Sequence, residues 1–242
     1  MQPTTKRTAI LVDGGYYRKQ AAHFWGKERI EVSAKERAAE LIRYCNLHLD
    51  MPDEPRELYR IFYYDCSALQ REMIHPLTNE KINFSEGDGT KWAKAFFEEL
   101  TAKRKLALRL GELAESQAYY SLKPDPLEDL LKGKKTLQDL KKKDFKLIVK
   151  QKGVDTRIGL DAASLAYGGY VDQIILIAGD SDFVPVAKMA RRNGIDFILD
   201  PMGNFIKPNL EEHIDGIETF VETMSEIRRA QVEKSEMVEV TV

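Results

Sequence analysis

Three short apolar runs in this chain each end at aspartate, and this pattern restricts the fold more than any other feature. Thr8-Ala9-Ile10-Leu11-Val12 stops at Asp13-Gly14-Gly15. Leu58 to Tyr64 carries Asp65 at its end, and Gln173 to Ala178 runs into Gly179-Asp180-Ser181-Asp182. Short apolar runs closed by Gly and Asp read as buried strands. Segments of helical period lie between them. Ser33-Ala34-Lys35-Glu36 is a capping box opening a helix to about Leu49, with Ala38, Leu41, Ile42 and Cys45 on one face. Lys91 to Lys105 presents Trp92, Ala95, Phe96 and Leu100, while Asp155 to Tyr167 presents Ile158, Ala162, Leu165 and Ala166 and stops at Gly168-Gly169. Phe183 to Arg192 reads as a shorter helix ended by Gly194. Leu106 to Leu113, Phe145 to Val149 and Ile195 to Leu199 complete the expected strands.

Strands alternating with helices predict an α/β fold with a mostly parallel central sheet and helices on both faces. One domain is expected over residues 1–220, with an exposed lysine-rich insertion at about 114–144 marked by Pro124, Pro126 and Gly133. Residues 221–242 add a C-terminal helix and acidic tail, the helix being expected from Ile217 to Val232. Residues 66–89 show no period and read as irregular. A chain of 242 residues that is 43% hydrophobic can bury a substantial core. No apolar run reaches the length of a membrane span, and Met1 to Arg7 lacks the apolar stretch of a secretory signal, so a cytoplasmic location without membrane partners is expected. Cys45 and Cys66 form no CxxC pair and read as reduced thiols.

The net charge of −2 conceals a dipolar distribution. Nine lysines against two aspartates lie between Lys132 and Lys152, and nine acids against three bases follow from Glu211 onward. The first run is a candidate phosphate-binding surface and otherwise a solvated face.

In open α/β sheets ligands bind beyond the carboxyl ends of the strands, which brings Asp13 and Asp180 to one edge. With Asp155 and Asp182 they would form an acidic cluster, which is tolerated mainly when a cation neutralises it. Hard oxygen ligands without cysteine favour Mg2+ or Mn2+ over zinc, and the chemistry such a site supports is phosphodiester hydrolysis. Each acid also has a plainer reading: Asp13 as a turn residue, Asp155 and Asp182 as helix caps. Asp161, turned by about 240° from Asp155 around a helix, is expected to pair with Arg157. Asp196 and Asp200 read as turn or surface residues. His23, His48, His75 and His213 are scattered and define no site, and Gly14-Gly15 lacks the dinucleotide-binding spacing.

Val12-Asp13-Gly14-Gly15, Lys152-Gly153-Val154-Asp155 leading into Ile158 to Asp161, and Ala178-Gly179-Asp180-Ser181-Asp182-Phe183 together resemble the three signature blocks of NYN domains, the PIN-like nucleases with a Rossmann-like fold. The resemblance runs from about Thr8 to Leu210, with Arg191 to Gly194 and the strand to Leu199 extending it. It implies metal-dependent RNA cleavage with Asp13, Asp155, Asp180 and Asp182 at the metal site. Tyr16 stands where many NYN domains have asparagine, and residues 66–113 and the lysine-rich insertion have no counterpart in a minimal NYN core. The leading expectation is therefore a metal-dependent ribonuclease acting on single-stranded or looped RNA. Two alternatives stay open: an RNA-binding regulatory module with little activity, and a DNA-directed nuclease. Tyr16, flanked by Tyr17, is a candidate stacking surface, and Lys141, Lys142, Lys143, Lys150 and Lys152 are candidate backbone contacts.

Overall fold

The computed structural model describes residues 4–25, 32–179 and 181–239. In chain order its elements begin β1 (Lys6–Asp13), α1 (Gly14–Phe24), α2 (Ala34–Leu47), β2 (Arg56–Cys66), β3 (Glu72–Ile74), β4 (Lys81–Asn83), α3 (Asp88–Thr101) and β5 (Leu106–Leu113). There follow β6 (Tyr119–Leu122), α4 (Pro124–Leu131), β7 (Phe145–Ile148), β8 (Gln151–Lys152), α5 (Val154–Tyr167), β9 (Gln173–Ile177) and α6 (Val184–Arg192). The last are β10 (Asp196–Asp200), α7 (Pro208–Glu211), β11 (Gly216–Ile217) and α8 (Val221–Glu239).

Seven strands form one sheet in the order β11-β10-β9-β1-β2-β5-β8. All neighbours are parallel except β8, which runs antiparallel to β5. The fold is thus α/β with a mostly parallel sheet, as the alternating pattern predicts. Continuous apolar runs arise because both faces are covered. Along β1, Ala9 and Leu11 join one core with α5 and α6, whereas Ile10 and Val12 join a second core with α1, α2, α3 and α8. β9 divides in the same way, Ile174 and Leu176 on the first side, Ile175 and Ile177 on the second. Each such fully buried side chain contributes about 1.5–3 kcal/mol, so β1 and β9 anchor the middle of the sheet on both faces. Alternation puts Asp13 in phase with Ala9 and Leu11, on the α5 side.

Local sequence explains the helix starts. The capping box of α2 forms: Glu36 N–H donates to Ser33 Oγ at 3.1 Å, and Ser33 N–H donates to Glu36 Oε2 at 2.9 Å. Asp13 does the same for α1, accepting from Tyr16 N–H at 3.0 Å.

Several expectations need correction. Phe145–Ile148 is a strand but not part of the main sheet; it pairs antiparallel with Tyr119–Leu122 in a separate ribbon. Residues 66–89 are not wholly irregular, because β3 and β4 pair as a hairpin. The terminal helix starts at Val221 rather than Ile217, since Gly216–Ile217 adds an edge strand to β10.

Asp200 and Asp196 are not surface turns. Asp200 is 0% exposed and accepts from Tyr44 Oη at 2.6 Å, the Met202 N–H at 2.7 Å and His48 Nε2 at 2.9 Å. Asp196 is held by Lys6 and Gln173, each at 2.7 Å. Asp155 is not the cap of α5; that position is Gly153, with φ +78, and Asp155 sits in the first turn. Asp182 lies in a 3-10 turn before α6, whose own cap is Phe183. Cys45 and Cys66 are free and buried.

The His48 network extends to the C-terminal segment. His48 faces Glu218, and Arg56 donates to both Glu218 carboxylate oxygens, at 2.6 and 2.7 Å. Burial alone would raise the Glu218 carboxyl, but the hydrogen bonds from Arg56 and the nearby His48 outweigh it and hold the group at about 2. A carboxyl held below its ordinary value stabilises the fold above that ordinary value, and the contribution disappears as pH falls toward about 2. Acid unfolding should therefore steepen below about pH 4.5, and Glu218→Gln should remove that component. The difference would reach up to about 3 kcal/mol at neutral pH. Denaturant titrations of both proteins from neutral to acid pH check this; parallel curves would refute it.

Candidate nucleic-acid cleavage site

The carboxyl ends of β1, β2 and β9 define the site. Because Val12 pairs with Ile177, Asp13 lies level with Ala178, and Gly179 follows at the same edge. On the other side Asp13 pairs with Tyr64, which places Asp65 one step further along β2. α5 starts at this edge too, after β8 crosses beside the end of β5, and packs against β2 and the Ser181–Phe183 turn. The left-handed backbone at Gly153 reverses the chain there. Any side chain at Gly153 would also meet the Arg157 guanidinium, 2.5 Å from a Cβ.

Asp13 is half-buried, and its carboxyl is raised above the ordinary value. Burial is the main cause and the charge of Asp155 adds to it, against the opposing pull of the Tyr16 and Gly15 backbone N–H groups and of Arg18. The fold thus brings Asp13 and Asp155 within electrostatic reach although they come from opposite parts of the chain. Asp155 and Asp182 are exposed, and each has a further interaction of its own. Asp180 lies outside the described residues. Among those described, no group of three or more His, Cys, Asp or Glu side chains is gathered tightly enough to hold a metal ion.

Asp161 is separate from this cluster, and its partner is not Arg157. It accepts from Arg109 Nε at 3.0 Å and from Tyr64 Oη at 2.9 Å, while Arg157 donates to the Gly153 carbonyl at 3.2 Å. Residue spacing along one helix could not reveal a partner on β5.

Tyr16 is committed to the framework. Its hydroxyl donates to the Pro201 carbonyl at 2.6 Å and accepts from Asn204 Nδ2 at 3.0 Å. A Cβ at Gly179 would lie 2.3 Å from its ring, so glycine there is the condition for Tyr16 to lie where it does. Tyr17 is no stacking surface either, being buried against Trp25 and Tyr44. Lys141, Lys142, Lys143, Lys150 and Lys152 are all exposed, with Lys142 paired to Glu80. Lys152 belongs to the strand leading directly to the Asp155 turn.

The sequence reading missed Asp65, Arg18 and Gln151. Asp65 is 1% exposed, forms an ion pair with Arg18 and accepts from the Cys66 N–H at 2.8 Å. Arg18 also donates to Tyr63 Oη at 3.0 Å, so its guanidinium is fixed beside Asp13. The available signal was an aspartate ending a buried aromatic strand, the same signal that marked Asp13.

The NYN domain family model matches residues 91–204 of this chain, and the mostly parallel α/β sheet is consistent with a PIN-like NYN fold. The match takes in Asp155, Asp180 and Asp182 but not Asp13. A crystal structure of a protein of unknown function from Vibrio parahaemolyticus is similar at 14% identity, covering 90% of this chain and 96% of that one with a TM-score of 0.44. No curated protein matches the sequence. Among the described residues no helix is long and apolar enough to cross a membrane.

Proposed function

We propose that this protein is a metal-dependent ribonuclease that hydrolyses phosphodiester bonds of single-stranded or looped RNA at the carboxyl edge of its sheet. The observation that supports this most is the placement of half-buried Asp13 at the carboxyl edge of β1 near the exposed Asp155 of the first α5 turn, whose charge adds to burial in raising the Asp13 carboxyl, in a chain that the NYN family model matches. Two carboxylates held against each other are costly without a cation, and a set of carboxylate oxygens suits magnesium or manganese. When bound, such an ion supplies the positive charge that neutralises the pair and polarises a phosphodiester.

The protein's own groups do the rest. Asp13, Asp155 and Asp182 present the acidic edge, Asp180 is added to the set on sequence grounds alone, and Arg18 keeps a fixed positive charge beside Asp13. Lys141, Lys142, Lys143, Lys150 and Lys152 offer solvent-facing charge along which a nucleic-acid backbone can run. An acidic edge must approach the scissile phosphate closely, which an unpaired strand permits more readily than a continuous duplex.

The test is incubation with end-labelled single-stranded, hairpin and duplex RNA, and DNA of the same sequences, in magnesium, manganese or EDTA. Cuts in unpaired RNA that require metal are expected. Cleavage of DNA alone would replace the RNA reading, and binding without cleavage in any metal would favour a regulatory module.

A companion comparison separates the two aspartates of α5. Asp155→Asn should reduce cleavage strongly with little change in stability, since Asp155 is exposed in a first turn. Asp161→Asn disturbs the bonds from Arg109 and Tyr64 and should cost about 1–3 kcal/mol of stability with the smaller loss of activity. The opposite ranking in paired cleavage and unfolding assays would show that the wrong carboxylate has been assigned to the site.

A further inference from the structure

A cavity of about 490 Å³ opens beside the acidic edge, between the end of β2, the β3–β4 hairpin and the start of α3. Phe84, Trp92 and Phe97 line it, together with Ala68, and the polar residues Arg18 and Gln151 join the lining. Resting on the nuclease reading of the adjacent edge, we infer that this cavity is a nucleobase subsite that receives one unpaired base next to the scissile phosphate.

Three observations carry the inference. The first is size: binding cavities for small organic groups run from about 300 to 1,000 Å³, and a base with its ribose falls within what this one can hold. The second is the lining, since aromatic rings accept any base on their faces whatever its sequence. The third is continuity with the acidic edge through two residues. Arg18 lines the cavity and also acts on Asp13, and Gln151 lines it while its Oε1 lies 3.9 Å from where a Cβ on Gly15 would stand. A strand whose phosphate lies at Asp13 therefore has this aromatic recess beside it for its neighbouring base. The walls come largely from residues 66–97, a stretch that contains the hairpin and lies outside the three signature blocks.

Two variants test the subsite without dismantling the cores. Phe84 belongs to neither buried cluster, so Phe84→Ala removes a wall at small cost in stability, and Ala68→Trp fills the space instead of enlarging it. Affinities are measured in EDTA, with the full chain, for short single-stranded RNA oligonucleotides intact or lacking one base at a time, and for DNA of the same sequence. Wild type should lose roughly tenfold or more in affinity when one particular base is removed. Both variants should bind the intact strand as weakly as wild type binds the abasic one, with unchanged salt dependence. RNA and DNA alike would show that the base itself is read, and RNA alone would add the ribose to the ligand. Insensitivity of wild type to every base removal, or variants that keep wild-type affinity, would overturn the subsite. Cleavage is read separately in magnesium. Base-dependent affinity without Asp13-dependent cleavage would sink the nuclease reading and leave the subsite standing, whereas Asp13-dependent cleavage with base-independent affinity would do the reverse.

Discussion

Asp13→Asn is expected to lower cleavage by roughly a hundredfold or more while the melting temperature stays level or rises. Asparagine removes one negative donor and nearly preserves volume. It also keeps an oxygen that accepts from the Tyr16 N–H, so the cap of α1 survives. What disappears is the cost of keeping a charged group half-buried against Asp155. A raised carboxyl favours the fold below its ordinary value and loses that contribution as pH climbs through the raised one. The stability advantage of the asparagine variant should therefore appear near neutral pH and vanish in acid. Asp13→Ala provides the contrast, since it also loses the cap and should fall behind the asparagine variant by about 1 kcal/mol. Cleavage by Asp13→Asn at the wild-type rate would show that the edge of β1 is not the reaction centre.

The largest loss of stability is expected from Asp200→Ala, roughly 3–5 kcal/mol by chemical denaturation. Asp200 receives Tyr44, the Met202 N–H and His48 in a site closed to water, and its removal strands all three. Burial alone would lower the His48 imidazole, but its hydrogen bond to Asp200 and the nearby Glu218 carboxylate raise it, so removing Asp200 takes away the closer of the two groups that favour its charged form. The following residue, Pro201, receives the Tyr16 hydroxyl, so the damage should reach the floor of the acidic edge. A loss below about 1 kcal/mol, the worth of one ordinary hydrogen bond, would mean that this network is not what holds β10 to α2.

What could be read from residue order follows from the range of the forces involved. Apolar period and caps are local, so β1, α2, α5 and β9 are legible from residues that later touch, and the carboxyl-edge rule turns strand ends into a shared edge. Partners across the sheet are not local. Asp161 pairs with Arg109 and Asp200 with His48, and nothing within one helix or strand announces either. Tyr16 illustrates a second limit: its position next to Asp13 suggested an open ring, but Gly179 and Asn204 supply the surroundings that occupy it. The hairpin at residues 72–83 escaped because each arm has only three residues, too short for alternation to register.

The sheet order carries a consequence for the sequence of events during synthesis. β1 is made first yet lies in the middle, with β2 on one flank and β9 on the other. An emerging chain can seat β1 against β2 and then β5, but the other flank of β1 stays open until Gln173–Ile177 has been made. Closing so long a loop is entropically slow, and it is compensated only when the buried face of β9 docks. The first α5 turn reaches its place over the same core, so Asp13 and Asp155 meet only after the chain has been made through Ile177. An incomplete chain on the ribosome, surrounded by RNA, would thus carry every strand of the N-terminal half and still lack the assembled acidic edge.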